Sequence, residues 1–137
     1  MSATQLRQAQ PLTKPASLEQ CIVDAPRYTR VDFLACEAAQ TADLYRVLAG
    51  RLLQSEVRCL LFSYSVCSAA DYATLHDMLR MLLRTRERPT QLKLALLAGA
   101  LQVERTFQRL QRDFRMTGIE VRIVADETEA QAWFNAP

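Results

Sequence analysis

Four apolar residues in a row, Cys59-Leu60-Leu61-Phe62, stand inside the stretch Arg58 to Ser65. A strand with one wet face would alternate apolar and polar residues; this run does not, so a strand covered on both faces is expected. The small polar loop Val66-Cys67-Ser68 follows, and then a stretch with helical spacing of its apolar residues. The same sequence of strand, break and helix recurs twice downstream. Repeated strand–helix units imply right-handed crossovers and a mostly parallel sheet.

The remaining elements follow from local pattern. Residues 1–17 are rich in Gln, Ser, Thr and Pro and carry no period, which predicts a flexible N-terminal arm. The α/β domain is expected over 18–137. Leu18 to Asp24 and Tyr28 to Cys36 read as two strands joined by the turn Ala25-Pro26-Arg27, pairing antiparallel, with Val31, Phe33 and Ala35 on one face. A helix from Thr41 or Asp43 to Gln54 carries the stripe Leu44, Val47, Leu48 and Leu52. Gly50 inside it costs about 1 kcal/mol relative to Ala, and a close approach to the sheet would account for it. The helix opened by Ser68, with Asp71 three residues on, carries Tyr72, Leu75, Met78, Leu79, Leu82 and Leu83 on one side and stops before Pro89. Gln91 to Ala98 is a strand and Gly99 marks the bend after it. The next helix has the clearest period, Ala100, Val103, Phe107, Leu110 and Phe114, with Phe107 and Phe114 expected in the core. Gly118 is placed as its left-handed cap. Ile119 to Val124 is the last strand. Asp126 with Glu129 forms a capping pair for a final short helix that packs Ala130, Trp133 and Phe134. The expected fold class is thus a single α/β domain, ββαβαβαβα, with an N-terminal antiparallel hairpin on a mostly parallel sheet.

Composition narrows the chemistry. Three glycines in 137 residues cannot build a phosphate-cradling loop, and neither G-x-G-x-x-G nor a P-loop occurs. The four cysteines, Cys21, Cys36, Cys59 and Cys67, form no C-x-x-C pair and His76 is the only histidine, so no metal site and no cofactor are expected. Cys59 reads as a small core residue, and His76 as a surface or boundary residue. Met1 to Pro15 offers no apolar leader and no run is long enough to span a bilayer, so a cytoplasmic protein with reduced thiols is expected. The net charge of +2 is too small to demand a polyanionic partner.

Two surfaces stand out. Ligands of open α/β sheets bind beyond the carboxyl ends of the parallel strands. Ser65, Cys67, Ser68, Asp71, Tyr72, Gly99 and Asp126 belong to that end. Helix N-termini there suit an anion or an acidic partner, although the plainest role of Ser68 and Asp126 is to cap helices. The second surface is basic. All but two of the 17 basic residues are arginine. Arg80, Arg84, Arg86 and Arg88 cluster at the end of one helix and Arg105, Arg109 and Arg112 form a stripe on the next. Solvated faces balanced by Glu87, Glu104 and Asp113 are one reading; an acidic protein partner, an anionic membrane surface or nucleic acid is the other. Nucleic acid is not expected, since aromatics do not interleave with these arginines.

The element order, the strand Leu92 to Ala98 leading into an amphipathic helix, and the ending Glu129-Ala130-Gln131-Ala132-Trp133-Phe134 are together similar to the STAS-like proteins, the anti-sigma-factor antagonists and the broader SpoIIAA-like group. The resemblance covers roughly Leu18 to Phe134. It implies a STAS-like fold and a regulatory, non-enzymatic module that docks a protein partner through the loops after the parallel strands. It also suggests a phosphorylation switch, but the family's Asp-Ser-Ser-Gly corresponds here to Asp71-Tyr72-Ala73-Thr74. Only the aspartate is retained, so no switch is expected, and Ser68 or Thr74 is the nearest hydroxyl. The alternative is a carrier of a small apolar ligand or lipid, because distant relatives of that fold bind lipids; an enzyme ranks third. A homodimer stays open.

Overall fold

The computed structural model describes residues 18–33, 38–54, 58–63, 69–85, 91–97 and 103–136. The expected arm at 1–17 lies outside them. The described chain forms one α/β domain, with strands β1 (Ile22–Asp24), β2 (Thr29–Asp32), β3 (Cys59–Ser63), β4 (Leu92–Leu97) and β5 (Ile119–Val124), and helices α1 (Thr41–Gln54), α2 (Ala69–Thr85), α3 (Val103–Asp113) and α4 (Glu127–Asn135). The sheet order is β1-β2-β3-β4-β5. β1 pairs antiparallel with β2, and the pairs β2–β3, β3–β4 and β4–β5 are parallel.

Because β2 to β5 lie in sequence order, right-handed crossovers place every connecting helix on the same face. α1, α2 and α3 accordingly share one core with Val31, Leu60, Phe62, Leu94 and Leu96. The alternate strand positions Cys59, Leu61, Ala95 and Val124 face the other way and meet Ala130, Trp133 and Phe134 of α4. This is why the Cys59–Phe62 run does not alternate: all of β3 is buried. Phe33, Tyr45 and Phe62 form the aromatic centre of the larger core, with ring centroids 5.0 Å (Phe33–Tyr45) and 5.1 Å (Phe33–Phe62) apart. On the other face Lys93 donates to the carbonyls of Trp133 (2.9 Å) and Ala136 (3.0 Å), placing a cation at the negative end of α4.

Several expectations are corrected. Leu18 to Cys21 is a 3-10 turn, not the start of a strand, and only Ile22 to Asp24 is extended. Leu18 and Cys21 stand three apart and both face the core, the spacing a 3-10 turn supplies. The second strand is only Thr29–Asp32, since Phe33 already turns into 3-10 conformation, and Ala38–Gln40 forms another 3-10 turn before α1; the expected inward position of Ala35 lies outside the described residues. Gly50 does not approach the sheet. It is exposed, and a Cβ there would meet nothing within 4 Å. Phe114 is buried as expected, but Phe107 is only partly covered. The buried line of α3 is Val103, Thr106 and Leu110, which leaves Phe107 at its margin. Gly118 has φ 94°, yet it sits at the entry to β5; nearer the helix end, Met116 is left-handed at φ 62° and almost wholly exposed.

Candidate docking face

The carboxyl ends of the parallel strands are Asp32, Ser63, Leu97 and Val124. Of the residues expected beyond them, Ser65, Cys67, Ser68 and Gly99 lie outside the described residues. Asp71 falls in the first turn of α2. Asp126 is engaged: its Oδ1 accepts the Glu129 N–H at 2.8 Å, and Glu129 Oε2 accepts the Ala125 N–H at 2.7 Å. This reciprocal arrangement is the expected cap of α4. Tyr72 is engaged as well. Its hydroxyl donates to Asp113 Oδ2 at 2.6 Å, so it belongs to the contact between α2 and α3. Burial, reinforced by that carboxylate, pushes the Tyr72 phenol well above the ordinary tyrosine range.

Around Asp113 the two arginine groups converge. Arg109 of α3 lies over the Tyr72 ring, 5.5 Å from its centroid. Arg112 Nε reaches Asp113 Oδ1 at 3.2 Å. Arg80, Leu83 and Arg84 of α2 line a small cleft of about 170 Å³ completed by Asp113, Phe114 and Thr117. His76 packs its ring 4.9 Å from that of Phe114, with Nε2 3.7 Å from Asp113 Oδ2. It is half-buried, a boundary histidine as expected. The Tyr72 hydroxyl first, and then Arg112 and His76, hold the Asp113 carboxyl below the usual range against a smaller opposing effect of burial. Asp113 is thus shared among several donors. Arg80, Arg84, Arg105 and Arg112 are exposed, and Asp77 and Glu104 are exposed acids on the same helices. Arg86, Arg88 and Glu87 lie outside the described residues.

Sequence reading missed a polar cluster on the α4 face of the sheet. Tyr28 donates to Glu127 Oε2 and accepts from Gln131 Nε2 at 3.0 Å. Arg30 reaches Glu127 Oε1 at 3.3 Å, and its Nε stands 3.2 Å from Asp32 Oδ1 without a well-directed hydrogen bond. Burial works against the Arg30 charge, but Asp32 and Glu127 outweigh it and the pKa is raised. Tyr28, Arg30 and Asp32 follow the period of two that sets them opposite the Val31 face, a signal present in the sequence; their partners on α4 are not.

Compared with known proteins, the chain matches no family model, no curated protein and no solved structure.

The chemistry these arrangements allow is narrow. No group of three or more His, Cys, Asp or Glu among the described residues could hold a metal ion. Burial raises the Cys21 and Cys59 thiols above their ordinary range, which suppresses the nucleophilic thiolate. Large grooves among the described residues are open to solvent. One, of about 860 Å³, lies at the amino ends of β2 and β3, opposite to the expected ligand end, and includes Asp24, Arg27, Arg51, Arg58 and Phe134. There Arg51 pairs with Asp24 at 3.0 Å and Arg27 donates to Asn135 at 3.1 Å. No helix among the described residues is long and apolar enough to cross a membrane.

Proposed function

We propose that the chain is a STAS-like regulatory module that acts by binding, and that it takes an acidic segment of a protein partner on the arginine-lined seam of α2 and α3. One observation carries this reading. Arginines from two successive helices meet at a seam whose carboxylate, Asp113, is already shared by Tyr72, Arg112 and His76. No described residue forms an ion pair with Arg80, Arg84, Arg105 or Arg109, and their positive charge is offered to a partner. The parallel run β2 to β5 and the capped ending Asp126–Phe134 support the STAS-like assignment. A binding role agrees with the internal engagement of Tyr72, Asp126, Tyr28 and Glu127. Open grooves favour a docked segment over a sequestered lipid.

The test is affinity capture from the source cell, run in parallel with wild type and an Arg80→Glu, Arg84→Glu, Arg109→Glu variant. The expected result is an acidic protein retained by the wild type, lost from the variant, and weakened by salt, because exposed charges are screened over about 8 Å at physiological ionic strength. Equal retention by both proteins would overturn the placement of the docking face.

A further inference from the structure

The two edges of the sheet are unequal. β1 is three residues long, whereas β5 is six. β5 pairs with β4 along its whole length without a bulge, contains neither Pro nor Lys, and no described segment pairs with its outer side. Such an edge is a template for another strand. A groove of about 810 Å³ wraps it, lined by Val121 from one face and by Glu120, Arg122 and Trp133 from the other. The nearly fully exposed Met116 stands in the same groove.

The backbone phase says how a strand would add. The Gly118 carbonyl accepts the Leu92 N–H at 3.0 Å, so Gly118 turns toward β4. By the alternation of strand geometry Glu120 and Arg122 also turn their backbone groups inward. Those of Ile119, Val121 and Ile123 point out of the sheet.

We propose that two copies of the chain associate by antiparallel pairing of β5 with β5 about a two-fold axis at Val121. In that register Val121 exchanges both hydrogen bonds with its counterpart, and Ile119 pairs with the partner's Ile123. Glu120 falls opposite the partner's Arg122 and Arg122 opposite the partner's Glu120, in the non-hydrogen-bonded positions where cross-strand side chains lie closest. The strand is therefore complementary in charge to itself. An axis at Glu120 or at Arg122 would set like charges face to face, which selects the Val121 register. Glu120 and Arg122 are exposed and no described residue forms an ion pair with either. Lys93, which registers with Glu120 on β4, spends its ammonium on Trp133 and Ala136. Arg122 lies 4.9 Å over the Trp133 ring, which holds it on the Glu120 face. Isologous pairing of this kind closes the assembly at a dimer. It is independent of the acidic-partner reading.

The experiment is light scattering after size exclusion on the full chain over a concentration series. Wild type is expected at twice the chain mass. Glu120→Arg alone and Arg122→Glu alone should each be monomeric with unchanged circular dichroism, because each sets like charges opposite one another. Mixing the two variants should restore a dimer, since each then meets its complement. Amide hydrogen exchange at Val121 gives a reading that needs no variant: protection of that N–H should rise with protein concentration. A wild-type monomer at all concentrations, a dimer that survives in both single variants, a failure of the mixture to pair, or a Val121 amide indifferent to concentration would each overturn the proposal.

Discussion

Phe114 is the most informative residue to truncate, because it joins the end of α3 to both the core and the seam. It is 2% exposed, and its ring lies against that of His76. Phe114→Ala removes a buried ring, and such truncations cost about 3–5 kcal/mol. A domain of this size has only about 5–15 kcal/mol of total stability, so the change removes a large share of it. Phe107 supplies the internal comparison. It is partly covered and packs at the rim of the same core, so Phe107→Ala should cost roughly half as much, about 1.5–2.5 kcal/mol, scaling with the apolar area removed from water. Urea unfolding followed by circular dichroism measures both. The midpoint should fall further for Phe114→Ala, with little change in slope. Equal losses, or a loss under about 1 kcal/mol at Phe114, would show that α3 presents a different side to the sheet.

Two further substitutions test local readings. Gly50→Ala should raise stability by about 0.5–1 kcal/mol in thermal or urea unfolding, because Gly50 sits in an exposed helical position with open space around its Cα. Tyr72→Phe should cost about 1–2 kcal/mol near neutral pH through loss of its bond to Asp113. The folded pKa of Asp113 is depressed, so its contribution is present above the unfolded carboxylate value of about 3.9 and is lost as pH falls through the folded value. Tyr72→Phe removes the leading cause of that depression, so urea midpoints of the variant should fall less steeply than wild type on the acid side.

What the sequence discloses and what it withholds divide along physical lines. The run Cys59–Phe62 announces a strand buried on both faces because each of its residues meets a core, and the structure shows one core behind Leu60 and Phe62 and another behind Leu61. The cap of α4 is equally legible, since Asp126 and Glu129 need only each other and the backbone between them. Contacts across the fold are not. Tyr72 and Asp113 are 41 residues apart and Tyr28 and Glu127 are 99 apart, so no local pattern announces either bond. Phe107 misleads for another reason. Its steps of three and four fit a stripe, but the line that faces the sheet passes through Thr106, a residue that hydropathy does not mark as buried. Gly50 looked like a packing requirement because its cost needed an explanation; the open space around it shows that nothing in the described fold requires it. The arginine stripes were visible one helix at a time, whereas their meeting around Asp113 depends on how α2 and α3 lie together.

The claim that this seam is the docking face is tested most directly by backbone amide NMR. An oligoglutamate peptide is titrated into the labelled full chain at low salt, where weak charge-driven contacts are retained. The account predicts that shift changes gather on α2 and α3 around Arg80, Arg84, Arg109 and Arg112, and that they fade as salt is added. Changes confined to residues 64–68 and 98–102, with the seam unmoved, would contradict it.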